Sequence, residues 1–220
     1  LNELAASGKV FVGHSDFTAL QCAGYAHGRM RSIAGPMATY DFGAEQVSAF
    51  TEAHFWRVIH GEADEIEVAC TLPRGAAGRG AVLTGPLWGG NLALLANLAG
   101  TPYMPRIGGG LLFVEDINEH PYRIERMLYQ LMHAGILGRQ KALLLGDFSA
   151  YRLAENDNGF DFDSMVAHLR ARLSIPVLTG LPFGHVRDKL SLPFGGRASL
   201  DISATGYRLA YRADFAKSVK

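Results

Sequence analysis

Apolar and polar positions along the chain predict alternating strands and helices. Residues 9–13 form a β-rich run that ends in glycine, and residues 17–26 have a helical composition, which predicts strand, turn and helix in that order. Residues 45–60 place their apolar side chains near one face, which predicts a second helix that stops at Gly61. Glycine, proline and small residues dominate 28–43 and 71–80, where we expect connections.

From residue 81 onward the pattern predicts repeated α/β units. Apolar runs at 111–114, 142–145 and 175–178 have the length of buried strands. Helices are predicted at 91–100, where Asn91 is a candidate cap, at 118–134 and at 162–173. Residues 189–212 alternate apolar and polar positions around glycines, as an antiparallel ribbon does. The fold class that follows is α/β.

Charge and cysteine content narrow the range of partners. The 21 basic and 21 acidic residues cancel, so we expect no nucleic acid and no membrane surface as partner, and a small molecule instead. No apolar run approaches the roughly 18 residues of a membrane span.

Cys22 and Cys70 lie far apart and have no metal-ligand spacing, which favours a reducing compartment without disulfides or zinc. No phosphate-binding glycine motif or HExxH is present, so we expect no cofactor and no metal.

Polar residues follow three of the predicted strands, where α/β sheets bind their ligands. Ser15 follows the first strand, Glu115 ends the run at 111–114, and His185 lies in the Pro/Gly-rich loop after residues 175–178. A hydroxyl, a carboxylate and an imidazole are the groups that nucleophilic acyl transfer requires. The backbone N–H of Asp16, near the start of a helix, would then be an oxyanion donor.

Each of these residues also has a simpler interpretation when it is taken alone. Ser15 or Asp16 would serve equally well as a helix N-cap, and the sequence around Ser15 does not match G-x-S-x-G. The acidic run at 115–119 would suit a hard cation or the dipole of the next helix. Three arginines could anchor a carboxylate, but the surface-charge interpretation is favoured for each, so we do not count them as site residues: Arg106, Arg123 and Arg187.

Four motifs in order carry a family resemblance across nearly the whole chain. They are Val-Gly-His-Ser-Asp-Phe-Thr-Ala at 12–19, Trp-Gly-Gly-Asn-Leu at 88–92, Phe-Val-Glu-Asp-Ile-Asn-Glu at 113–119 with Pro-Tyr-Arg at 121–123, and Gly-Leu-Pro-Phe-Gly-His at 180–185. Together they resemble the serine-type LD-carboxypeptidases, which trim murein tetrapeptides. The resemblance implies that Ser15 is the nucleophile, His185 the general base, Glu115 its orienting carboxylate, and the Asp16 N–H an oxyanion donor, with no metal.

The resemblance also implies a reaction, a location and a domain plan. The reaction would be hydrolysis of the bond between meso-diaminopimelate and the terminal D-alanine, during peptidoglycan recycling in the cytoplasm. Residues 1–35 would complete a doubly wound N-terminal domain that bears the nucleophile. Residues 36–75 would be a linker and bridging helix, and residues 76–220 a mixed α/β C-terminal domain with antiparallel tail strands, which carries Glu115 and His185.

The family has a further N-terminal segment before the serine turn, whereas this sequence begins at Leu1 just upstream of it. We therefore expect a truncated chain. Its expected partners are a murein tetrapeptide or muropeptide, the segment as a separate piece, and a second copy in a homodimer. Three alternatives stay open. They are a microcin-immunity-like serine peptidase or amidase, an inactive peptide-binding fragment, and a generic nucleotide-binding α/β domain.

Overall fold

The computed structural model describes residues 1–213, which form six helices, two short 3₁₀ turns and ten strands. The helices are α1 (Asn2–Ala6), α2 (Phe17–Gly28), α3 (Ala49–Ile59), α4 (Leu92–Leu98), α5 (Pro121–His133) and α6 (Phe162–Arg172). The strands are β1 (Val12–Gly13), β2 (Ser32–Ala34), β3 (Ala63–Ala69), β4 (Val82–Asn91), β5 (Leu111–Ile117), β6 (Ala142–Ser149), β7 (Val177–Leu178), β8 (Leu192–Phe194), β9 (Gly196–Ile202) and β10 (Gly206–Arg212).

The strands form two sheets. The smaller sheet has the order β1-β2-β8, with β1 parallel to β2 and β8 antiparallel to it. The larger sheet has the order β3-β10-β9-β4-β5-β6-β7. Its strands β4 to β7 run parallel, whereas β9 is antiparallel to β4 and β10 is antiparallel to both β9 and β3. The mixed α/β class with antiparallel tail strands is therefore confirmed.

The larger sheet has a hydrophobic core on each face. Along β5, Leu112 and Val114 belong to the core beneath α4, α5 and α6, while Leu111 and Phe113 belong to the opposite core, which includes Ile33 of the smaller sheet. Alternation of side chains along a strand sends neighbours to opposite faces. Because both faces of the sheet are covered, the sequence in the middle of β5 is an uninterrupted apolar run.

Three strands, β2, β3 and β4, lie where the sequence predicts none. Residues 28–43, predicted to be a connection, contain β2, whose three residues are all buried. Three residues are too few to show a periodicity, so only the pairing with β1 and β8 defines this strand. Strand β3 lies inside the predicted linker and pairs with β10 along its whole length. The domain boundaries at 35 and 75 stay a prediction, and residues 214–220 of the last predicted domain lie outside the described residues.

Helix α3 is held against the larger sheet by a buried carboxylate. Asp64 of β3 accepts hydrogen bonds from His54 Nδ1 at 2.6 Å, from the Tyr211 hydroxyl at 3.2 Å and from Arg57 Nη1 at 3.3 Å. Burial alone would raise the pKa of Asp64, but these hydrogen bonds outweigh it and lower the pKa. Among the helices of residues 1–213, none is long and apolar enough to cross a membrane.

Candidate active site

Ser15 lies on a tight turn between the end of β1 and the start of α2. Its φ of 59° falls in the left-handed region, which residues with a side chain adopt rarely. The turn is held by hydrogen bonds from the Phe17 N–H to the His14 carbonyl at 3.2 Å and from the Thr18 N–H to the Ser15 carbonyl at 2.9 Å. Strained backbone of this kind persists where the surrounding structure fixes it, and it is common at functional sites.

Glu115 lies near the carboxyl end of β5, at the point where the pairing with β6 shifts register between Val114 and Asp116. Its side chain is completely buried. Asn91, the last residue of β4, donates from Nδ2 to Glu115 Oε1 at 3.3 Å. A buried carboxylate is tolerated only when its oxygens have partners. Asn91 supplies the partner of one oxygen and leaves Oε2 for another group.

The partner of Glu115 Oε2 is His185. The imidazole Nδ1 lies 2.8 Å from Glu115 Oε2, and its Nε2 lies 3.0 Å from Ser15 Oγ. An ionised carboxylate only accepts hydrogen bonds, so Nδ1 carries the proton and Nε2 accepts from the serine hydroxyl. The fold thus brings together the three strand-end residues that the sequence pointed to, although Ser15 and His185 are 170 positions apart.

The surroundings of His185 favour its charged form. The hydrogen bond with Glu115 raises the pKa of His185, and this effect outweighs both the burial of the ring and the positive charge of Lys189. The side chain of His185 is 20% exposed, whereas that of Glu115 is not exposed at all. An imidazole in this position can take a proton from a hydroxyl and hold it next to a carboxylate that stabilises the resulting charge.

Asp16 occupies the N-cap position of α2, but its side chain makes no capping hydrogen bond and is exposed to solvent. Asp16 is therefore the N-cap residue by position, in agreement with the simpler interpretation, but its side chain does not cap the helix. Within residues 1–213 its backbone N–H makes no hydrogen bond. An N–H at the start of a helix, next to the serine, has the polarity that a developing oxyanion requires.

The second acid of the run, Asp116, does not contact His185. It accepts from the Ala93 N–H at 2.9 Å and from Asn91 Nδ2 at 3.1 Å, and thereby caps α4. Asn91 adds a second cap through the Leu94 N–H at 3.1 Å, as the sequence predicts. Burial raises the pKa of Asp116, against the effect of these hydrogen bonds. The two adjacent acids therefore share Asn91 but differ in their other partner, which is the imidazole for Glu115 and a helix terminus for Asp116.

Two further residues near the site, His14 and Lys189, are not among the candidates from the sequence, although His14 lies within the motif at 12–19. His14 is 3% exposed, lies 3.1 Å from the Gly35 carbonyl through Nδ1, and packs edge-on against the His185 ring at 5.2 Å between centroids. Its burial lowers its pKa, and the charge of Lys189 lowers it further. Lys189 is fully buried and pairs with Asp41 at 2.6 Å. Nothing distinguishes this lysine from a surface lysine in the sequence.

No group of histidine, cysteine, aspartate and glutamate side chains within residues 1–213 is arranged to hold a metal ion. Arg123 forms an exposed ion pair with Glu119 at 3.3 Å. The groups that meet at the site are the Ser15 hydroxyl, the His185 imidazole and the Glu115 carboxylate.

Residues 84–200 match the family model of the LD-carboxypeptidase C-terminal domain, which is more than half of the chain. The chain belongs to the LD-carboxypeptidase family. A solved muramoyltetrapeptide carboxypeptidase from Oxalobacter formigenes is 51% identical and superposes with a TM-score of 0.89, over 96% of this chain and 70% of that one. The murein tetrapeptide carboxypeptidase of Pseudomonas aeruginosa is 30% identical over 90% of this chain and 64% of its own length.

The fold extends beyond carboxypeptidases. A microcin C7 self-immunity protein, solved with aspartyl sulfamoyl adenosine, has a TM-score of 0.80 at 21% identity, over 96% of this chain and 70% of that one. Identity this low shows a shared fold and no more. Against curated LD-carboxypeptidase relatives, the chain spans 60% to 64% of their length.

Proposed function

We propose that the protein is a serine carboxypeptidase that hydrolyses the bond between the L-centre of meso-diaminopimelate and the terminal D-alanine of murein tetrapeptides. The observation that carries this proposal is the continuous hydrogen-bonded line from Glu115 through His185 to Ser15 Oγ, with contacts of 2.8 and 3.0 Å. The names of two relatives, a muramoyltetrapeptide and a murein tetrapeptide carboxypeptidase, support the substrate.

In this mechanism Ser15 Oγ attacks the carbonyl carbon of the diaminopimelyl residue while its proton passes to His185 Nε2. The tetrahedral intermediate collapses as His185 gives that proton to the nitrogen of the departing D-alanine. Water then attacks the acyl-enzyme ester, again with His185 as base. Ser15 is regenerated and the shortened peptide leaves with a new carboxylate.

Two neighbouring groups lower the energy of the charged states. Glu115 stabilises the imidazolium that forms in each half of the reaction. Asn91 holds the Glu115 carboxylate in place by donating from Nδ2 to its other oxygen, Oε1, at 3.3 Å. The Asp16 N–H donates to the oxyanion. A single donor of this kind raises the rate by a factor of about 10²–10³.

We place this activity in the cytoplasm, in peptidoglycan recycling. A further N-terminal segment as a separate piece and a homodimer remain predicted partners, and nucleic acid and membrane remain predicted non-partners. No specific observation favours the microcin-immunity activity, the inactive binding fragment or the nucleotide-binding domain, so we propose no second function.

The test is D-alanine release from L-Ala-D-Glu-meso-diaminopimelyl-D-Ala. We expect the unaltered chain to release D-alanine and Ser15→Ala to be slower by a factor on the order of 10⁴ or more, because the attacking oxygen is gone. Ser7→Ala removes an exposed hydroxyl directly after α1, which donates to the Leu4 carbonyl and accepts from the Lys9 N–H, and it should leave the rate unchanged. Equal rates for Ser15→Ala and the unaltered chain would overturn the serine mechanism. No release by either would overturn the proposed activity of this chain.

A further inference from the structure

A cavity of about 320 Å³ lies beside the loop that carries His185, between that loop, residues 40–48 and the start of α3. Its exposed lining includes Tyr40, Gln46 and Arg187. Its buried lining includes Asp41, Ser48 and Thr51. A concave site with a few polar groups is the usual form of a ligand pocket.

The charges that face this cavity leave one cation without a partner. Asp41 is paired with the buried Lys189 at 2.6 Å, and Asp188 accepts a hydrogen bond from the Ser48 hydroxyl at 2.6 Å. Arg187 makes no ion pair and no side-chain hydrogen bond within residues 1–213, and its side chain is exposed. Asp41, the acid in the lining, thus already has its counter-ion, whereas the Arg187 guanidinium has none within residues 1–213 and is available to a ligand.

The position of Arg187 relative to the catalytic imidazole is fixed by the backbone. The Thr51 hydroxyl donates to the Arg187 carbonyl at 2.9 Å and accepts from the Lys189 N–H at 2.9 Å. Successive Cα atoms are about 3.8 Å apart, so the Cα atoms of Arg187 and His185 lie at most about 7.6 Å apart. One extended residue spans about 3.3–3.6 Å. The Cα atoms of Arg187 and His185 are thus separated by no more than about the length of two extended residues, so the residue next to the one attacked by Ser15 is of the right length to contact Arg187.

We propose that this cavity binds the free carboxylate of the D-glutamyl residue of the substrate, with Arg187 as the residue that recognises it. The inference rests on the proposed function, in which D-glutamate directly precedes the attacked diaminopimelyl residue. Whichever carboxyl group joins a glutamyl residue to the chain, its other carboxylate stays free. The planar guanidinium fork fits a carboxylate with two parallel hydrogen bonds, which makes it selective for this group over an uncharged amide.

The experiment measures peptide binding by calorimetry in a Ser15→Ala background, so that no turnover occurs. Two ligands are compared: the tetrapeptide L-Ala-D-Glu-meso-diaminopimelyl-D-Ala, and the same peptide with the free D-glutamyl carboxylate replaced by a carboxamide. We expect Arg187→Gln to weaken binding of the carboxylate peptide about tenfold and to leave binding of the carboxamide peptide unchanged. Arg187→Lys should restore part of the loss, because it returns the charge without the fork.

Arg126→Gln is the matched control, since Arg126 is an exposed arginine of α5 that does not line the cavity. It should change binding of neither peptide. If Arg187→Gln weakens both peptides equally, or weakens neither, the inference about Arg187 is overturned and the proposed function stands. If neither peptide binds even before Arg187 is changed, the proposed function fails, and this site fails with it.

Discussion

Glu115 and His185 show how the burial of single residues sets the chemistry of the site. The Glu115 side chain is fully enclosed and accepts hydrogen bonds from Asn91 and His185, while the imidazole keeps a fifth of its side chain exposed. The hydrogen bond with Glu115 raises the pKa of His185 above its usual 6.5, and Lys189 opposes that change. A substitution of Glu115 should therefore change both the rate of D-alanine release and the pH dependence of that rate.

We expect kcat/KM for D-alanine release to rise with pH through the pKa of His185, because only the neutral imidazole accepts the serine proton. The midpoint of this rise should lie above 6.5, since Glu115 raises that pKa. Glu115→Gln should move the midpoint to lower pH and reduce the rate by about 10⁴, as the amide stabilises neither the charge nor the required tautomer. The measurement is a pH profile of kcat/KM for both forms.

A matched control is Glu125→Gln, because Glu125 pairs with a histidine outside the site, His168, at 3.4 Å. The profile of this variant should match that of the unaltered chain, and an unmoved midpoint in Glu115→Gln would contradict the assigned pairing.

The pairing of His185 with Glu115 also affects the stability of the fold. Since the folded pKa is raised, its stabilising contribution is complete below the unfolded pKa and is lost as pH rises through the folded pKa.

At the scale of elements, the start of α3 holds the loop that carries His185. Ser48 caps the helix by accepting from the Thr51 N–H at 3.1 Å and also donates to Asp188 at 2.6 Å. The Thr51 hydroxyl then joins the backbone of Arg187 and Lys189, at 2.9 Å to each. This helix lies in the predicted linker, yet its first turn sets the position of a predicted catalytic loop.

Thr51→Val should therefore impair both stability and turnover. Valine has nearly the same shape but leaves the Lys189 N–H and the Arg187 carbonyl without a partner in a buried place, which costs about 1–3 kcal/mol of unfolding free energy. Urea unfolding measures the first effect, and kcat for D-alanine release the second. Thr51→Ser keeps the hydroxyl and should retain most of both properties. A Thr51→Val variant as stable as the unaltered chain would show that this hydroxyl does not hold the loop.

At the scale of the whole molecule, the site lies where the two sheets meet. Ser15 follows β1 of the smaller sheet, and Glu115 belongs to β5 of the larger sheet. His185 lies in the segment that leaves β7 of the larger sheet and enters β8 of the smaller one. The same segment contains Lys189, whose buried ion pair with Asp41 fastens residues 37–41 to it, because Asp41 also accepts from the Met37 N–H at 2.7 Å.

Lys189→Met should destabilise the fold by about 3–5 kcal/mol, because it leaves the nearly buried Asp41 carboxylate without its cation. The double change Lys189→Met with Asp41→Leu should recover most of that loss, since it removes both charges. Urea unfolding at neutral pH provides the comparison. A single variant no less stable than the double variant would mean that the ion pair does not join the two parts of the chain.

Periodic stretches of sequence determined the longer elements and the chemical candidates. The apolar stripe of α6, the cap at Asn91 and the uninterrupted apolar runs of β5 and β6 are local patterns, because each reflects which face of one element is buried. The same sequence pointed to Ser15, Glu115 and His185 as residues at strand ends. Strand β3 was missed, although Ile66 and Val68 alternate with acids in a period of two.

The tertiary structure alone decided which of these residues meet. Nothing local to residues 115 and 116 tells which acid faces an imidazole, since that depends on the register shift in β5 and on the position of α4. Strands of two or three residues, such as β1, β2 and β8, exist only through their partners in the sheet. The burial of Lys189 likewise follows from contacts between distant segments, which no short-range pattern encodes. The same holds for Arg187, whose guanidinium has no partner within residues 1–213.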